Sequence, residues 1–238
     1  TELVFNNGVL ATQLMRTSIW AKLNYTRDFN AHHVNAKAIF SQGKSKFRGA
    51  NNTFMYRDYI LNTEYNYDDR YIINGVLTCA GSAKLVKGDK YRFYPALSAA
   101  WVISNEKFMK NAKNIDYLKL RASYGIVGND SRLSYDMDKR FNGNGKKYIF
   151  VGTKLLNGMT HGALASTDIE PEKDYKTNVG IEFGFFDGLA FEIDGFYNRR
   201  KNIRVNSAGS VSSVLGVGAS DVFTGEVKNY GVEIALGW

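Results

Sequence analysis

The sequence predicts an all-β fold, an antiparallel transmembrane β-barrel that is incomplete within these 238 residues. Three observations predict it. Apolar residues recur at every second position over segments mostly longer than the ~5 to 6 residues of an ordinary strand. Tyr and Phe contribute 15 each and Gly 23 while Pro contributes 2, which favours twisted strands with flexible joints over helices. Short and long joints alternate along the chain, the pattern of a meander with tight turns at one rim and long loops at the other.

The first segment, SIWAKLNYTRD, sets Ile19, Ala21, Leu23 and Tyr25 against Ser18, Lys22, Asn24 and Thr26. VNAKAIFSQGK follows, with Val34, Ala36, Ala38 and Phe40 on one side. MYRDYILNTEYNY and DRYIINGVLTCAG alternate less cleanly, with Tyr67, Tyr71, Ile73 and Leu77 apolar. YRFYPALSAAW and its continuation present Phe93, Pro95, Leu97, Ala99, Trp101 and Ile103 on one face. In YLKLRASYGIV, Leu118, Leu120, Ala122, Tyr124 and Ile126 oppose Lys119, Arg121 and Ser123. YKTNVGIEFGFF sets Tyr175, Val179, Ile181 and Phe183 against Lys176, Asn178 and Glu182. LAFEIDGFYNR sets Leu189, Phe191, Ile193 and Tyr197 against Glu192, Asp194 and Asn198. GVEIALGW closes the set with Val232, Ile234, Leu236 and Trp238 on one face, making about nine strands.

Short joints are expected around Asp28 to His33, at Asp68 and Asp69, and at Asp187 and Gly188. SNEKFMKNAKNID is longer and has room for one helical turn. The other joints are Gly-, Asn- and Ser-rich loops: QGKSKFRGANN, GSAKLVKGD, the very long stretch from GNDSRLSYDMDK to ASTDIEPEKD, and VNSAGSVSSVLGVGASD. A soluble β-sandwich would also alternate strands and turns, but it does not segregate loop lengths. Lys, Arg, Glu and Asp on the second face would be costly in a sandwich core and cost little against a watery lumen. Leu97, Ala99 and Trp101 are therefore expected to face lipid, and Ser98 and Ala100 to face inward. Pro95 removes a ladder hydrogen bond, so it belongs near the long-loop rim where irregular pairing tolerates the loss.

No apolar run reaches the ~18 residues of a membrane-spanning helix, whereas a membrane strand needs only ~9 to 11 residues with one apolar face. TELVFNNGVL lacks the basic start and apolar core of a signal peptide, so the chain is expected to be mature or part of something longer. Cys79 is the single cysteine and excludes an intrachain disulfide. The net charge of +8 is spread over strands and loops without a compact basic run, so no nucleic-acid partner is expected.

Candidate chemistry does not assemble. His32 and His33 are adjacent, so they point to opposite faces of a strand or lie in a turn, and a polar rim rather than a metal site is expected there; His161 stands alone in a glycine-rich loop. QGKSKF contains a GKS, but Ala38 stands where a phosphate-binding loop needs its first glycine. DMDKRFNGNG places Arg140 and Phe141 where a calcium loop needs oxygen and glycine. No catalytic residue, cofactor or metal is expected, and the chain is not expected to be an enzyme. The aromatic, Asn-rich stretch NNTFMYRDY could stack on sugars or bind peptide as an exposed loop.

Several motifs together resemble a family. A tyrosine-rich strand turns through Asp69 to Tyr71, a later strand carries Tyr94 to Trp101, Ser104 to Phe108 follow, and then Ile115 to Asn129 read IDYLKLRASYGIVGN. Downstream, IEPEKDYKTNVGIEFGFFDGLAFEIDGFYNRRKNI and GEVKNYGVEIAL continue the pattern. From about residue 18 onward the chain resembles the barrel of the SusC/RagA family of TonB-dependent outer-membrane transporters. It departs at TCAGSAK, where the family's R-x-D-G-S-S would supply an Arg and an Asp, so any rim contact made by that pair is not expected here.

The resemblance implies that residues 1–238 are part of one barrel domain, about nine strands of the ~22 of large plugged transporters, with the plug domain and TonB box absent from this chain. It implies a multi-pass barrel in the outer membrane of a Bacteroidetes-type bacterium, importing an oligosaccharide or oligopeptide under TonB with a SusD-like lipoprotein as lid. Lipid or lipopolysaccharide would surround the outward face. The substrate-binding residues stay unknown, although Lys119 and Arg121, expected to face the lumen, hint at anionic or peptide cargo. A siderophore receptor, and a structural or secretion-associated barrel, remain as alternatives.

Overall fold

The computed structural model describes residues 14–47, 53–86, 88–110, 115–133, 138–139, 141–149, 152, 155–166, 168–185, 188–207, 212, 214 and 216–238. The strands are β1 (Leu14–Phe29), β2 (His32–Phe47), β3 (Phe54–Tyr67), β4 (Tyr71–Ser82), β5 (Tyr91–Val102), β6 (Ile115–Asn129), β7 (Phe141–Ile149), β8 (Leu155–His161), β9 (Glu172–Phe185), β10 (Leu189–Val205) and β11 (Val222–Gly237). Nine of them form one antiparallel sheet in the order β1-β2-β3-β4-β5-β6-β9-β10-β11. The sheet is a meander open at both edges, with β1 and β11 each paired on one side only.

Turn chemistry explains the short rim. Asp68 and Asp69 have φ of 52° and 50°, and Arg70 N donates to Tyr67 O at 3.0 Å. Two successive left-handed residues make the type I′ geometry whose twist matches that of paired strands. Asn30, with φ of 54°, serves the turn between β1 and β2. The joint after β5 carries two one-turn 3₁₀ helices, Ile103–Asn105 and Lys107–Met109, where the spacing allowed for one helical turn. Ile103 therefore leaves the apolar face that ends at Trp101, a correction to its expected place on that strand.

The register places the alternating faces as the period-two pattern predicts. Leu23, Leu97 and Ile234 point outward and are 72%, 59% and 67% exposed. Among the described residues the buried hydrophobics are Leu85, Val102, Leu133 and Ile169, too few to be the core of a water-soluble sheet of this size. The apolar surface lies on the outside, where hydrocarbon rather than packed protein covers it.

Aromatic rings mark its edges. Phe29, His32, Tyr67, Tyr71 and Trp101 lie directly opposite one another in successive strands. Ring centroids are 4.8 Å apart for His32 and Tyr67, 6.3 Å for Tyr67 and Tyr71, and 6.3 Å for Tyr71 and Trp101. This belt borders the short turns, as a membrane-interface girdle does. Tyr59 and Phe93, both opposite Cys79, and Tyr175 stand on the same outward face nearer the long loops. The inward face is not uniformly polar: Trp20, Ile39 and Ile60 lie on it beside Lys22, Asn24 and Asp58.

Pro95 sits opposite Leu77 of β4, while the ladder with β6 begins only at Ala96. The missing N–H thus falls where β5 separates from β6, closer to the long-loop end than to the short-turn end. The ring of Tyr94 fills the separation. It lies so close to Gly128 that a Cβ there would overlap it, which is why β6 carries glycine at that point.

The long stretch between Asn129 and Glu172 is more than the loop expected from its composition. It contains the hairpin β7–β8, paired from Phe141 with His161 to Ile149 with Leu155. Gly152, with φ of 65°, lies between its two strands. Within NNTFMYRDY, Met55 to Tyr59 belong to β3 as the alternation of MYRDYILNTEYNY predicts, with Tyr56 and Asp58 inward and Met55, Arg57 and Tyr59 outward, so they are strand rather than exposed loop; residues 51 and 52 lie outside the described residues.

Candidate functional site

The inward face of β6, β9 and β10 carries a charged cluster. Lys119 Nζ lies 3.1 Å from Glu182 Oε1 on the facing strand, and Arg121 Nε lies 3.1 Å from the same oxygen. Arg121 Nη2 reaches across β9 to Asp194 Oδ2 at 2.5 Å and also pairs with Glu192. The reach depends on Gly180, which stands opposite both Arg121 and Asp194. A Cβ at 180 would overlap Asp194 and stand 2.9 Å from Arg121 Nε. A glycine in mid-strand thus opens the channel through which a cation on one strand meets a buried carboxylate two strands away. Lys119 and Arg121 face inward as expected, but they are held by carboxylates rather than presented to an anionic cargo.

The long-loop rim is built by a second set of contacts. Ser82 Oγ donates to Asp130 Oδ2 at 2.6 Å, and Lys84 Nζ donates to Asp130 O at 2.9 Å. These residues come from the TCAGSAK stretch, so Ser82 and Lys84 make rim contacts to Asp130 there. Arg92 Nη2 lies 2.8 Å from Glu170 Oε1 and Nη1 lies 2.7 Å from Asp89 Oδ1. Lys173 Nζ lies 3.2 Å from Glu170 Oε2. Leu85, Leu133 and Ile169 bury together under this network, with Val86 and Phe223 packed against them. Segments far apart in the chain thereby form one cohesive rim. Below it, on the inward side, an open hollow of about 830 Å³ is lined by Phe54, Tyr56, Asp58, Lys84, Tyr94 and Asp130 among others.

At the short-turn rim Glu106 ties three segments. Tyr71 Oη donates to Glu106 Oε1 at 2.5 Å, Trp101 Nε1 donates to the same oxygen at 3.1 Å, and Arg70 Nη1 donates to Oε2 at 3.1 Å. The Tyr71 hydrogen bond, opposed by burial and reinforced by Trp101 and Arg70, holds the Glu106 carboxyl below the ordinary carboxylate range. A depressed folded value makes this contribution fully present above the unfolded value of ~4.3 and lost as pH falls through the folded value. Glu106→Gln is expected to abolish the corresponding acid-side change in Trp101 fluorescence; an unchanged titration would assign the transition to another group.

The histidines behave as polar rim residues. His32 points outward with Nδ1 2.7 Å from Tyr65 Oη, and His33 points inward with Nδ1 2.7 Å from Asp28 Oδ1. His161 ends β8 with its ring 4.8 Å from Phe141. Gly43, Lys44 and Ser45 continue β2 rather than open a loop. Residues 134–137 and Arg140 of the acidic stretch lie outside the described residues. The rim partnerships of Arg92, Glu170, Ser82 and Asp130 were not found from sequence, since partners 48 and 78 positions apart leave no spacing signal.

An open antiparallel meander with an apolar, aromatic-bordered outside and a charged inside is the wall of an outer-membrane β-barrel. Residues 8–238 match the family model described as TonB dependent receptor-like, beta-barrel, and the chain belongs to that family. TonB-dependent receptor P3 of Formosa agariphila is 26% identical over 90% of this chain and 24% of its own length. TonB-dependent receptor SusC of Bacteroides thetaiotaomicron is 25% identical over 75% of this chain and 18% of its own length. Among solved structures, the RagAB peptide importer in its closed-closed state superposes with a TM-score of 0.75 at 17% identity, covering 94% of this chain and 27% of that one. The siderophore receptor PirA from Pseudomonas aeruginosa gives 0.61 at 14% identity, covering 94% and 39%. The chain thus spans about a quarter or less of the length of receptor P3 and of SusC, and the SusC/RagA resemblance of its motifs agrees with them.

Proposed function

We propose that the protein to which this wall belongs imports a large nutrient, an oligosaccharide or oligopeptide, across the outer membrane in a TonB-dependent, non-enzymatic cycle. A SusD-like lipoprotein serves as its surface lid. In this reading residues 1–238 are part of one barrel domain. The outward face meets lipid or lipopolysaccharide, the charged inward face lines the path, and the long loops carry the lid. The observation that carries the reading is the rim, where Arg92, Glu170, Leu85, Leu133 and Ile169 join distant segments into a firm platform. A platform of that kind suits docking of a partner better than isolated loops do.

The test is uptake by cells with and without the gene. Loss of labelled oligosaccharide or oligopeptide uptake, with ferric-chelate uptake intact, is expected. The reverse pattern would favour the iron-chelate receptor, a reading supported by the fold-level likeness to PirA. Arg92→Glu in the full-length protein places like charge against Asp89 and Glu170. It is expected to reduce co-purification of the lipoprotein several-fold while leaving the barrel in the membrane; unchanged co-purification would remove the rim from the docking surface.

A further inference from the structure

The outward face carries cations at one end that neither the apolar band nor the inward wall uses. On β10 and β11, Arg199 lies opposite Lys228, and Lys201 follows on the same outward face. Arg199 Nε and Nη2 lie 2.8 and 2.9 Å from the two oxygens of Glu226, and Lys228 Nζ lies 3.7 Å from Oε1 of the same carboxylate. Lys201 Nζ stands 5.6 Å from the centroid of Tyr175 on β9. Arg199 and Lys228 thus share the Glu226 carboxylate, and with Lys201 on the same face the three cations keep an excess of positive charge at the lipid-facing surface. Lys44, Lys46 and Arg57 continue the belt on β2 and β3, where Arg57 Nε donates to Gln42 Oε1 at 2.8 Å.

The height of this belt identifies what it meets. Lys201 lies about ten residues along β10 from Phe191, and Lys228 about ten along β11 from Trp238, both at the short-turn end. A rise of ~3.4 Å per residue and a strand tilt of ~40° convert that length to roughly 25 Å of height, the thickness of the apolar band of such barrels. The cations therefore stand one membrane thickness from the short-turn girdle, just past the hydrocarbon, at the level of outer-leaflet headgroups. At the opposite end the outward Arg27 lies over the ring of Phe29, 4.4 Å from its centroid, on the aromatic belt.

We propose that Arg199, Lys201 and Lys228 form a binding site for the phosphoryl groups of an anionic outer-leaflet glycolipid of the lipid A type, with Tyr175 flanking it. Glu226 orients Arg199 and Lys228 side by side, so a phosphate meets two or more donors already placed. This inference rests on the outward face being the lipid face.

The test uses the full-length protein in phosphatidylcholine nanodiscs containing bisphosphorylated lipid A, dephosphorylated lipid A, or neither, with bound glycolipid counted by native mass spectrometry. Wild type is expected to retain the bisphosphorylated form preferentially. Lys201→Gln with Lys228→Gln is expected to lose about fivefold in retention per lysine, while the inward Lys22→Gln retains wild-type binding. Inorganic phosphate added to the discs is expected not to displace the lipid, because the acyl chains supply much of its affinity. Equal retention by the double variant, equal binding of the dephosphorylated form, or full displacement by phosphate would overturn the site. A protein that enters no disc at all would overturn the lipid-facing assignment along with it.

Discussion

Leu97→Arg is expected to destabilise the folded barrel by ~2 to 4 kcal/mol, whereas Ser98→Arg, one position along the same strand, is expected to cost under about 1 kcal/mol. Leu97 lies on the outward face, four residues above Trp101 and its girdle, which places it near the bilayer midplane. An arginine there must leave water for hydrocarbon, with only a long reach to the headgroups as relief. Ser98 faces the lumen opposite Asn74 and Ser123, where the same side chain keeps polar neighbours and water. Guanidinium unfolding of the full-length protein in phosphocholine vesicles, scored by heat-dependent electrophoretic mobility, measures both. Equal costs at the two positions would contradict the assignment of faces.

Arg121→Ala is expected to cost about 2 to 3 kcal/mol. Its guanidinium holds Glu182, Glu192 and Asp194 together, and Asp194 is only 7% exposed. Removing the cation leaves a buried carboxylate without compensation and two neighbouring carboxylates repelling one another. Water in the lumen moderates the loss, which keeps it below that of a dry ion pair. Arg121→Lys is expected to recover only part, because one compact ammonium lacks the planar fork by which Nε meets Glu182 while Nη2 meets Glu192 and Asp194. Adding Asp194→Ala to Arg121→Ala should return stability towards wild type, and the same guanidinium midpoints decide it. Strict additivity of the two losses would show that the pair is not coupled.

Sequence periodicity anticipated much of the wall. Ile19, Leu23 and Tyr25, or Leu120, Ala122 and Tyr124, can share a face only with a period of two, and the register confirms those faces. One place escaped that logic. In β7–β8, Asn142, Gly143 and Asn157, which read as loop, are paired, because a hairpin outside the nine-stranded wall need not keep one apolar face.

The sequence by itself determined that this chain is all β, which faces turn outward, and to which family its motifs belong. Those properties follow from local backbone geometry, since alternation decides what each strand can bury or expose. Only the tertiary structure decided the partners: Arg121 with Asp194 across Gly180, Ser82 with Asp130, Arg92 with Glu170, and Glu106 with Tyr71 and Trp101. These contacts depend on register and on loops meeting over the sheet. Loop closure brings such residues together at a cost that grows only slowly with the length of chain between them, so no spacing in the sequence records the meeting.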